Sequence, residues 1–269
     1  MEKTKILFVT QDITPFMKDS HMGLISRHLP QGVQERSREI RTFMPRFGNI
    51  NERRNQLHEV IRLSGMNLII DDTDHSLIIK VASIQQARMQ IYFIDNEDYF
   101  HRKYVYRDKN NAFFEDNDER AIFFARGVLE TVKKLGWSPD VVHCHGWMSA
   151  LTPLYIKKVY YENPLFANVK VITSLYDDDF SEPLHSNMQS KLKRDGIAMK
   201  DLKHFKKPDF INLMKSAIDL SDGIIMAGPQ INPELVDYAQ QSGAEILAGI
   251  PEENYIDVYN GFYDKILKR

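Results

Sequence analysis

Short apolar runs and helix-like segments alternate along most of the chain. Residues 5–10, 140–143 and 169–173 are nearly continuous apolar runs, which is typical of parallel strands buried on both faces. Residues 116–135 and 210–220 instead carry apolar side chains at helical spacing on one face. This alternation predicts an α/β fold, a Rossmann-like doubly wound parallel sheet with right-handed crossovers.

Two parts of the chain depart from that alternation. Residues 57–94 alternate or run apolar without a long helix between segments, which predicts an antiparallel β insertion that includes residues 89–94. Residues 251–269 begin with a proline and two acids and then repeat apolar side chains as one helical stripe. We therefore expect a Rossmann-like domain over residues 1–250, with an amphipathic helix, residues 251–269, packed on it.

The composition is that of a folded globular protein. Of the 269 residues, 43% are hydrophobic and 27% are charged, with a formal net charge of −2. That charge creates no field that attracts nucleic acid or an anionic membrane, so we expect neither as a partner. Cys144 is the single cysteine, which excludes an intrachain disulfide and suits a reducing compartment. With no signal-peptide pattern and no membrane-length apolar stretch, we expect a cytoplasmic protein.

Candidate chemistry concentrates where the predicted strands end, because doubly wound sheets bind ligands outside the carboxyl ends of their strands. Lys18, in the first such loop, is either an anion ligand or a solvated lysine, and the loop has no GxGxxG or P-loop pattern. Residues 177–179, three aspartates, are either a metal-binding cluster or a solvated acidic turn. The basic residues within 191–207 lack interleaved aromatics, which indicates a solvated face and not a nucleic-acid site.

Another strand ends in His143-Cys144-His145-Gly146-Trp147. Strand alternation places His143 and His145 on the same side. We expect no metal here, because closed zinc sites need four ligands in recognisable spacings and no second pair occurs. Cys144 has no identifiable activating partner, so we interpret it as a buried cysteine beside strand-end histidines.

Six segments resemble sequence blocks of the glycogen/starch synthase family, in order and with matching spacing. Residues 139–147, Pro-Asp-Val-Val-His-Cys-His-Gly-Trp, resemble the family's Pro-Asp-Val-Val-His-Ala-His-Asp-Trp. Residues 91–100 resemble its Tyr-Phe-Ile-Asp-Asn-x-x-Tyr-Phe segment. The other four segments are residues 5–18, 29–45, 116–120 and 217–228.

The resemblance implies one half of a GT-B fold, in which two Rossmann-like domains face a cleft. In that family the N-terminal domain holds the glucan acceptor, and the C-terminal domain holds ADP-glucose or UDP-glucose. Transfer retains the anomeric configuration and needs no metal or cofactor. This chain resembles the N-terminal, acceptor-side domain without the donor-side half. Family members also return a final helix from the second domain to the first, so residues 251–269 are either that helix or the ordinary last helix of the sheet.

Several family positions carry different residues here. The family's paired glycines correspond to Ser20 and His21, and its sugar-contacting aspartate corresponds to Leu24. The aspartate of His-x-His-Asp-Trp corresponds to Gly146, and the histidine of Thr-Val-His-Asn corresponds to Leu175. These replacements remove groups that hold sugar hydroxyls and stabilise a charged transition state. The predicted substrate-binding residues that remain are Lys18, His143, His145, Trp147 and Tyr176. We interpret Lys18, His143 and His145 as remnants of the catalytic site.

Three functional hypotheses follow from these observations. The chain is a synthase-family glucosyltransferase that works with a separate protein carrying the second domain, or a non-catalytic module that binds glucan or regulates a full-length synthase. A generic Rossmann-like nucleotide binder is the third. The lost polar groups favour the non-catalytic chemistry, so we expect a synthase homologue that is inactive alone, with α-glucan (glycogen) and a synthase or donor-domain protein as candidate partners.

Overall fold

The predicted parallel sheet forms the centre of the molecule. In the computed structural model, which describes residues 3–268, the strands are β1 (Lys5–Thr10), β2 (Glu39–Pro45), β3 (His58–Glu59), β4 (Met66–Ile70), β5 (Thr73–Ile84), β6 (Met89–Asp95), β7 (Val141–His145), β8 (Lys170–Leu175), β9 (Gly223–Met226) and β10 (Glu245–Leu247). They join in the order β10-β9-β8-β7-β1-β2-β6-β5-β3, with β4 paired to β5. The seven strands from β10 to β6 are parallel to their neighbours, which confirms the predicted doubly wound fold.

Helices connect and cover these strands. They are α1 (His21–Glu35), α2 (Glu97–Phe100), α3 (Asn117–Leu135), α4 (Thr152–Lys158), α5 (Met188–Arg194), α6 (Phe210–Asp219), α7 (Pro233–Gln241) and α8 (Tyr255–Leu267). Short 3-10 segments occupy Gln85–Ala87, Trp147–Ser149 and Met199–Lys206. Within residues 3–268, no helix is both long enough and apolar enough to span a bilayer.

Strand alternation divides the core between two faces of the sheet. On β1, Leu7 and Val9 join the apolar cluster that contains α3, α4, α6 and α7. Ile6 and Phe8 point to the other face and join a smaller cluster with α1 and α8. The chain leaves β1 through α1 towards β2, and it returns through α3 to β7 on the opposite side of β1. The carboxyl ends of β1 and β7 therefore frame the crevice where folds of this kind bind ligands.

The C-terminal helix α8 packs beside α1. A Cβ on Gly32 of α1 would lie 2.6 Å from Ile256, and a Cβ on Gly223 of β9 would lie 2.9 Å from Phe262 and Ile266. Both glycines therefore allow α8 to approach α1 and the sheet closely. The helix occupies the face opposite to α3, α4, α6 and α7. Its origin as a helix that returns from a second domain stays a prediction.

The structure corrects two predictions about the first half of the chain. Residues 89–94 do not belong wholly to an antiparallel insertion, because β6 pairs parallel to β2 and only its other edge pairs antiparallel to β5. Residues 57–63 contribute only the two-residue strand β3 before the chain turns. The antiparallel part is therefore β3, β4 and β5.

A third correction concerns the basic stretch 191–207. Lys191 is 5% exposed, and its Nζ lies 2.8 Å from Asp118 Oδ2 and 2.6 Å from Glu119 Oε1 on α3. Its ammonium group is therefore part of an internal ion-pair network that ties α5 to α3, and not of a solvated face. A buried lysine is stable in its charged form only with such partners.

Candidate functional site

The predicted site residues surround the carboxyl ends of β1, β7 and β8, but the structure exposes only one of them. Lys18 lies on the surface in the loop between β1 and α1. His143 and His145 are 0% exposed, and Trp147 and Tyr176 are 2% exposed. The two aromatic rings were predicted to offer faces for stacking on sugar. Both are covered by protein in this structure, and their role in sugar binding stays a prediction.

His143 and His145 lie on the same side of β7, as the alternation predicted, with ring centroids 3.9 Å apart. His143 Nδ1 is 2.8 Å from the hydroxyl of Tyr263 on α8, and its Nε2 is 2.7 Å from Ser174 Oγ on β8. His145 Nδ1 is 2.8 Å from the Tyr176 hydroxyl. Both imidazoles are thus held by neutral hydroxyl groups inside the core.

Burial sets the charge of these histidines. Desolvation, with a smaller contribution from neighbouring His145, holds the pKa of His143 well below its usual range. Burial alone lowers the pKa of His145 to about 3. Both rings are therefore neutral at pH 7, and His145 Nε2 has no hydrogen-bond partner among the described residues.

Trp147 belongs to the opposite face of the sheet. Its ring packs against Tyr106, Phe113 and Phe180, with centroids 4.9, 6.2 and 5.0 Å away. Its backbone N–H donates to Asp178 Oδ2 over 3.0 Å. The residue therefore anchors the loop after β7 and presents no open aromatic face.

A network that was not predicted joins the loops after β1, β7 and β8. Gln11 Nε2 donates to Asp178 Oδ2 over 3.2 Å, and Gln11 Oε1 accepts from the backbone N–H of Met148 over 2.9 Å. Asp178 Oδ1 is buried without a partner among the described residues. Burial, reinforced by Asp177 and Asp179, raises the pKa of the Asp178 carboxyl to about 6.

Part of this network was visible in the sequence. The three aspartates were noticed as either a metal-binding cluster or a solvated acidic turn. Asp177 and Asp179 are exposed, as in a solvated turn, but the carboxylate of Asp178 is buried. Gln11 was not identified, because no motif marks a single glutamine after a strand. Its placement depends on Gly146, which has φ of 80° and whose Cβ, if present, would lie 2.4 Å from the Gln11 side chain. An aspartate at position 146 would therefore displace Gln11.

The loop between β1 and α1 carries the second polar group at this edge. Ser20 caps α1 by accepting from the Gly23 N–H over 2.9 Å, and its hydroxyl donates to Asp12. Burial, opposed by that hydrogen bond, raises the pKa of Asp12. His21 Nε2 lies 2.8 Å from the carbonyl oxygen of Ala227, so the ring bridges α1 to the loop after β9.

The remaining candidates do not supply reactive groups. Burial raises the pKa of the Cys144 thiol to about 12, which leaves it un-ionised and agrees with its interpretation as a buried cysteine. No group of three or more histidine, cysteine, aspartate or glutamate side chains in residues 3–268 has a geometry that could hold a metal ion. Leu24 is 42% exposed on α1, and Leu175 is 1% exposed in the core. Neither can donate or accept a hydrogen bond to a sugar.

The sheet order and the mostly parallel strands define a mixed α/β fold similar to that of GT-B starch synthase catalytic domains. The catalytic domain of starch synthase IV from Arabidopsis thaliana, solved bound to ADP and acarbose, has this fold, with a TM-score of 0.68 at 16% identity. The match covers 83% of this chain and 45% of that chain.

Sequence comparison makes the assignment specific. Residues 5–248 match the starch synthase catalytic domain family, so the chain belongs to the glycogen/starch synthase family, as its motifs predicted. The glycogen synthase of Chlorobium limicola is 38% identical over 174 residues, which are 64% of this chain and 36% of that protein. The glycogen synthase of Chlorobaculum parvum is 27% identical over 284 residues, covering 98% of this chain and 56% of that protein. The chain thus spans between about a third and just over half of these relatives.

Proposed function

We propose that this chain is an acceptor-side domain of the glycogen/starch synthase family that does not transfer glucose by itself. The observation that carries the proposal is that both strand-end histidines are buried and hydrogen-bonded to tyrosine hydroxyls. His143 and His145 bond to Tyr263 and Tyr176 and are 0% exposed, so neither ring reaches a substrate in the crevice. A general acid, base or oxyanion donor must lie within hydrogen-bond reach of the reacting group.

Replaced family positions support the same conclusion. Leu24, Gly146 and Leu175 stand where the resemblance places an aspartate, an aspartate and a histidine. Loss of one preorganised electrostatic donor costs roughly 2.7–4 kcal/mol of transition-state stabilisation. Several such losses together reduce turnover far below that of an intact member of the family.

The proposal assigns roles to ligands and partners. The α-glucan acceptor, such as glycogen, would contact the rim of the crevice, where Lys18 is exposed. The glucose donor, ADP-glucose or UDP-glucose, would bind a donor-side domain, and a full-length synthase or a separate donor-domain protein is the candidate partner. The alternative function is a non-catalytic one, in which the chain binds glucan or regulates a full-length synthase. Reduced polarity at the strand ends favours that alternative over autonomous catalysis.

The decisive experiment is a transfer assay with the purified chain. We expect no nucleotide release and no glucose incorporation when the chain is incubated with glycogen and either ADP-glucose or UDP-glucose. The expected rate is at least about a thousandfold below that of a full-length synthase assayed in parallel, because more than one polar group that contacts the substrate is missing.

Two controls make the result interpretable. Expression in a host without its own synthase removes contaminating activity, and circular dichroism verifies that the chain is folded. Sustained incorporation of labelled glucose by the chain alone would refute the proposal. Stimulation of a full-length synthase by the added chain, without activity of the chain alone, would support the regulatory alternative.

A further inference from the structure

A cavity of about 420 Å³ opens at the edge of the sheet opposite to the strand-end crevice. Its wall includes the first residues of β2 and β6, and since these strands are parallel, the cavity lies at their amino ends. The charged and polar side chains that line it are Lys3, Gln34, Arg38, Glu39, Arg41, Arg88, Gln90 and Tyr92. It is therefore separate from the site formed by the loops after β1, β7 and β8.

The lining of the cavity is strongly cationic. Four basic residues face a single acidic one, Glu39. Glu39 Oε1 accepts a hydrogen bond from Trp137 Nε1, so one of its oxygens is already engaged. Arg38 pairs with Asp264 of α8 and donates to Asn260. The other basic groups have no carboxylate within ion-pair distance among the described residues.

Arg41 is held in this cavity by two aromatic rings. Its guanidinium carbon lies 5.7 Å from the ring centre of Tyr92 and 5.3 Å from that of Trp137, and its Nη1 donates to the Tyr92 hydroxyl over 2.9 Å. Its Nε is buried and has no acceptor in residues 3–268. Two aromatic rings and one hydrogen bond therefore hold an arginine whose charge no protein carboxylate neutralises.

We propose that this cavity binds the phosphate group of a phosphomonoester. The guanidinium of Arg41 would donate hydrogen bonds to the phosphate oxygens. Arg88 and Lys3, both on the surface, would add positive charge at the mouth of the cavity. A phosphomonoester carries close to two negative charges and three acceptor oxygens, which suits several converging cations better than a single carboxylate does. The side-chain oxygen of Gln34 is buried without a donor and would accept from a hydroxyl of the esterified molecule after a small rotation.

Tryptophan signals provide a site-specific test. Trp137 contacts Arg41 at this cavity, whereas Trp147 lies at the far end of the sheet, and these are the chain's two tryptophans. The full chain with ¹⁵N-labelled tryptophan is titrated with inorganic phosphate, with glycerol phosphate, and with chloride at matched ionic strength. We expect saturable movement of the Trp137 indole signal with both phosphates, none with chloride, and a stationary Trp147 signal.

Variants locate the binding site. Arg41→Gln should weaken the affinity for both phosphates about tenfold, and Arg88→Gln severalfold, since each removes a charge-assisted contact. Arg62→Gln removes the same charge at an exposed position outside the cavity and should bind as the wild type does. Because Arg88 is exposed, its variant decides the question should Arg41→Gln not fold.

Three results would overturn the proposal. The first is the absence of saturable movement of the Trp137 signal, or equal movement with chloride, which would show a general salt effect. The second is unchanged phosphate affinity in both cavity variants. The third is binding of inorganic phosphate without binding of glycerol phosphate, which would exclude an esterified ligand.

Discussion

Two neutral histidines lie where the family resemblance leads one to expect substrate contacts. His143 is paired on both ring nitrogens, and His145 on one. Protonation of either ring would put a charge among the buried side chains of Phe8, Tyr176 and Tyr259. These residues therefore contribute to packing, and they also make the folded state sensitive to acid.

We predict that the free energy of unfolding falls as the pH is lowered below about 6.5. The pKa values of both histidines are lowered on folding from an ordinary value of 6.5, so at lower pH the unfolded chain binds protons that the folded chain does not. For His145, whose pKa in the folded state is about 3, the cost is roughly 2 kcal/mol of stability between about pH 7 and pH 5. Asp178, whose pKa is raised to about 6, binds its proton in the folded state and offsets part of that loss.

Urea unfolding of His145→Asn at both pH values tests this prediction. Asparagine does not titrate, so the difference in stability between the two pH values should shrink by roughly 2 kcal/mol relative to the wild type. His58→Asn, at an exposed position of β3, controls for the loss of a histidine outside the core. An unaltered pH dependence in His145→Asn would contradict the linkage.

At the scale of elements, α8 is held on the rest of the molecule by apolar burial, by ion pairs and by the hydrogen bond between the Tyr263 hydroxyl and His143. Tyr259, Phe262, Tyr263 and Ile266 are buried against the sheet. Ion pairs join Arg36 to Asp257, Arg38 to Asp264 and Glu245 to Lys265. The surface pairs add little stability, because exposed ion pairs are typically worth 0–1 kcal/mol. Burial of the aromatic stripe and the hydroxyl of Tyr263 therefore hold the helix in place.

We predict that Tyr263→Phe lowers the free energy of unfolding by about 1–3 kcal/mol. The change removes the partner of His143 Nδ1 and leaves that nitrogen buried and unsatisfied. Tyr255→Phe is the matched control, because Tyr255 is partly exposed on the same helix and should cost less than about 0.5 kcal/mol. Thermal unfolding of both variants at pH 7 measures the difference, and equal costs would contradict a specific role for the Tyr263 hydroxyl.

At the scale of the whole molecule, periodicity was enough to predict the parallel sheet. The apolar runs that became β1, β7 and β8 are buried on both faces, and such runs are distinctive in sequence. The run that became β6 is equally apolar, but its orientation depends on its two neighbours. The sequence of β6 does not distinguish its parallel pairing to β2 from its antiparallel pairing to β5.

The site was less predictable than the fold, because its key contacts join residues far apart in sequence. The spacing of the motif correctly predicted that His143 and His145 lie on the same side of the strand. Nothing in the motif indicates that the hydroxyl of Tyr263, 120 residues later, would hydrogen-bond to His143. Gln11 and Asp178 meet over a separation of 167 residues. Lys191 was expected to be solvated for the same reason, since its partners lie 72 and 73 residues away on α3.

The molecule's affinity for glycogen tests its proposed acceptor role. The proposed acceptor role requires that glycogen binds the exposed rim of the crevice, since the aromatic rings behind it are covered. We therefore expect glycogen in a native gel to retard the chain. Lys18→Ala should weaken that binding about two- to tenfold, the range of one net hydrogen bond. Lys109→Ala removes an equal charge from an exposed position in another loop and should migrate like the wild type. Mobility that does not change with glycogen concentration would contradict an acceptor role, and equal retardation of both variants would place the contact away from Lys18.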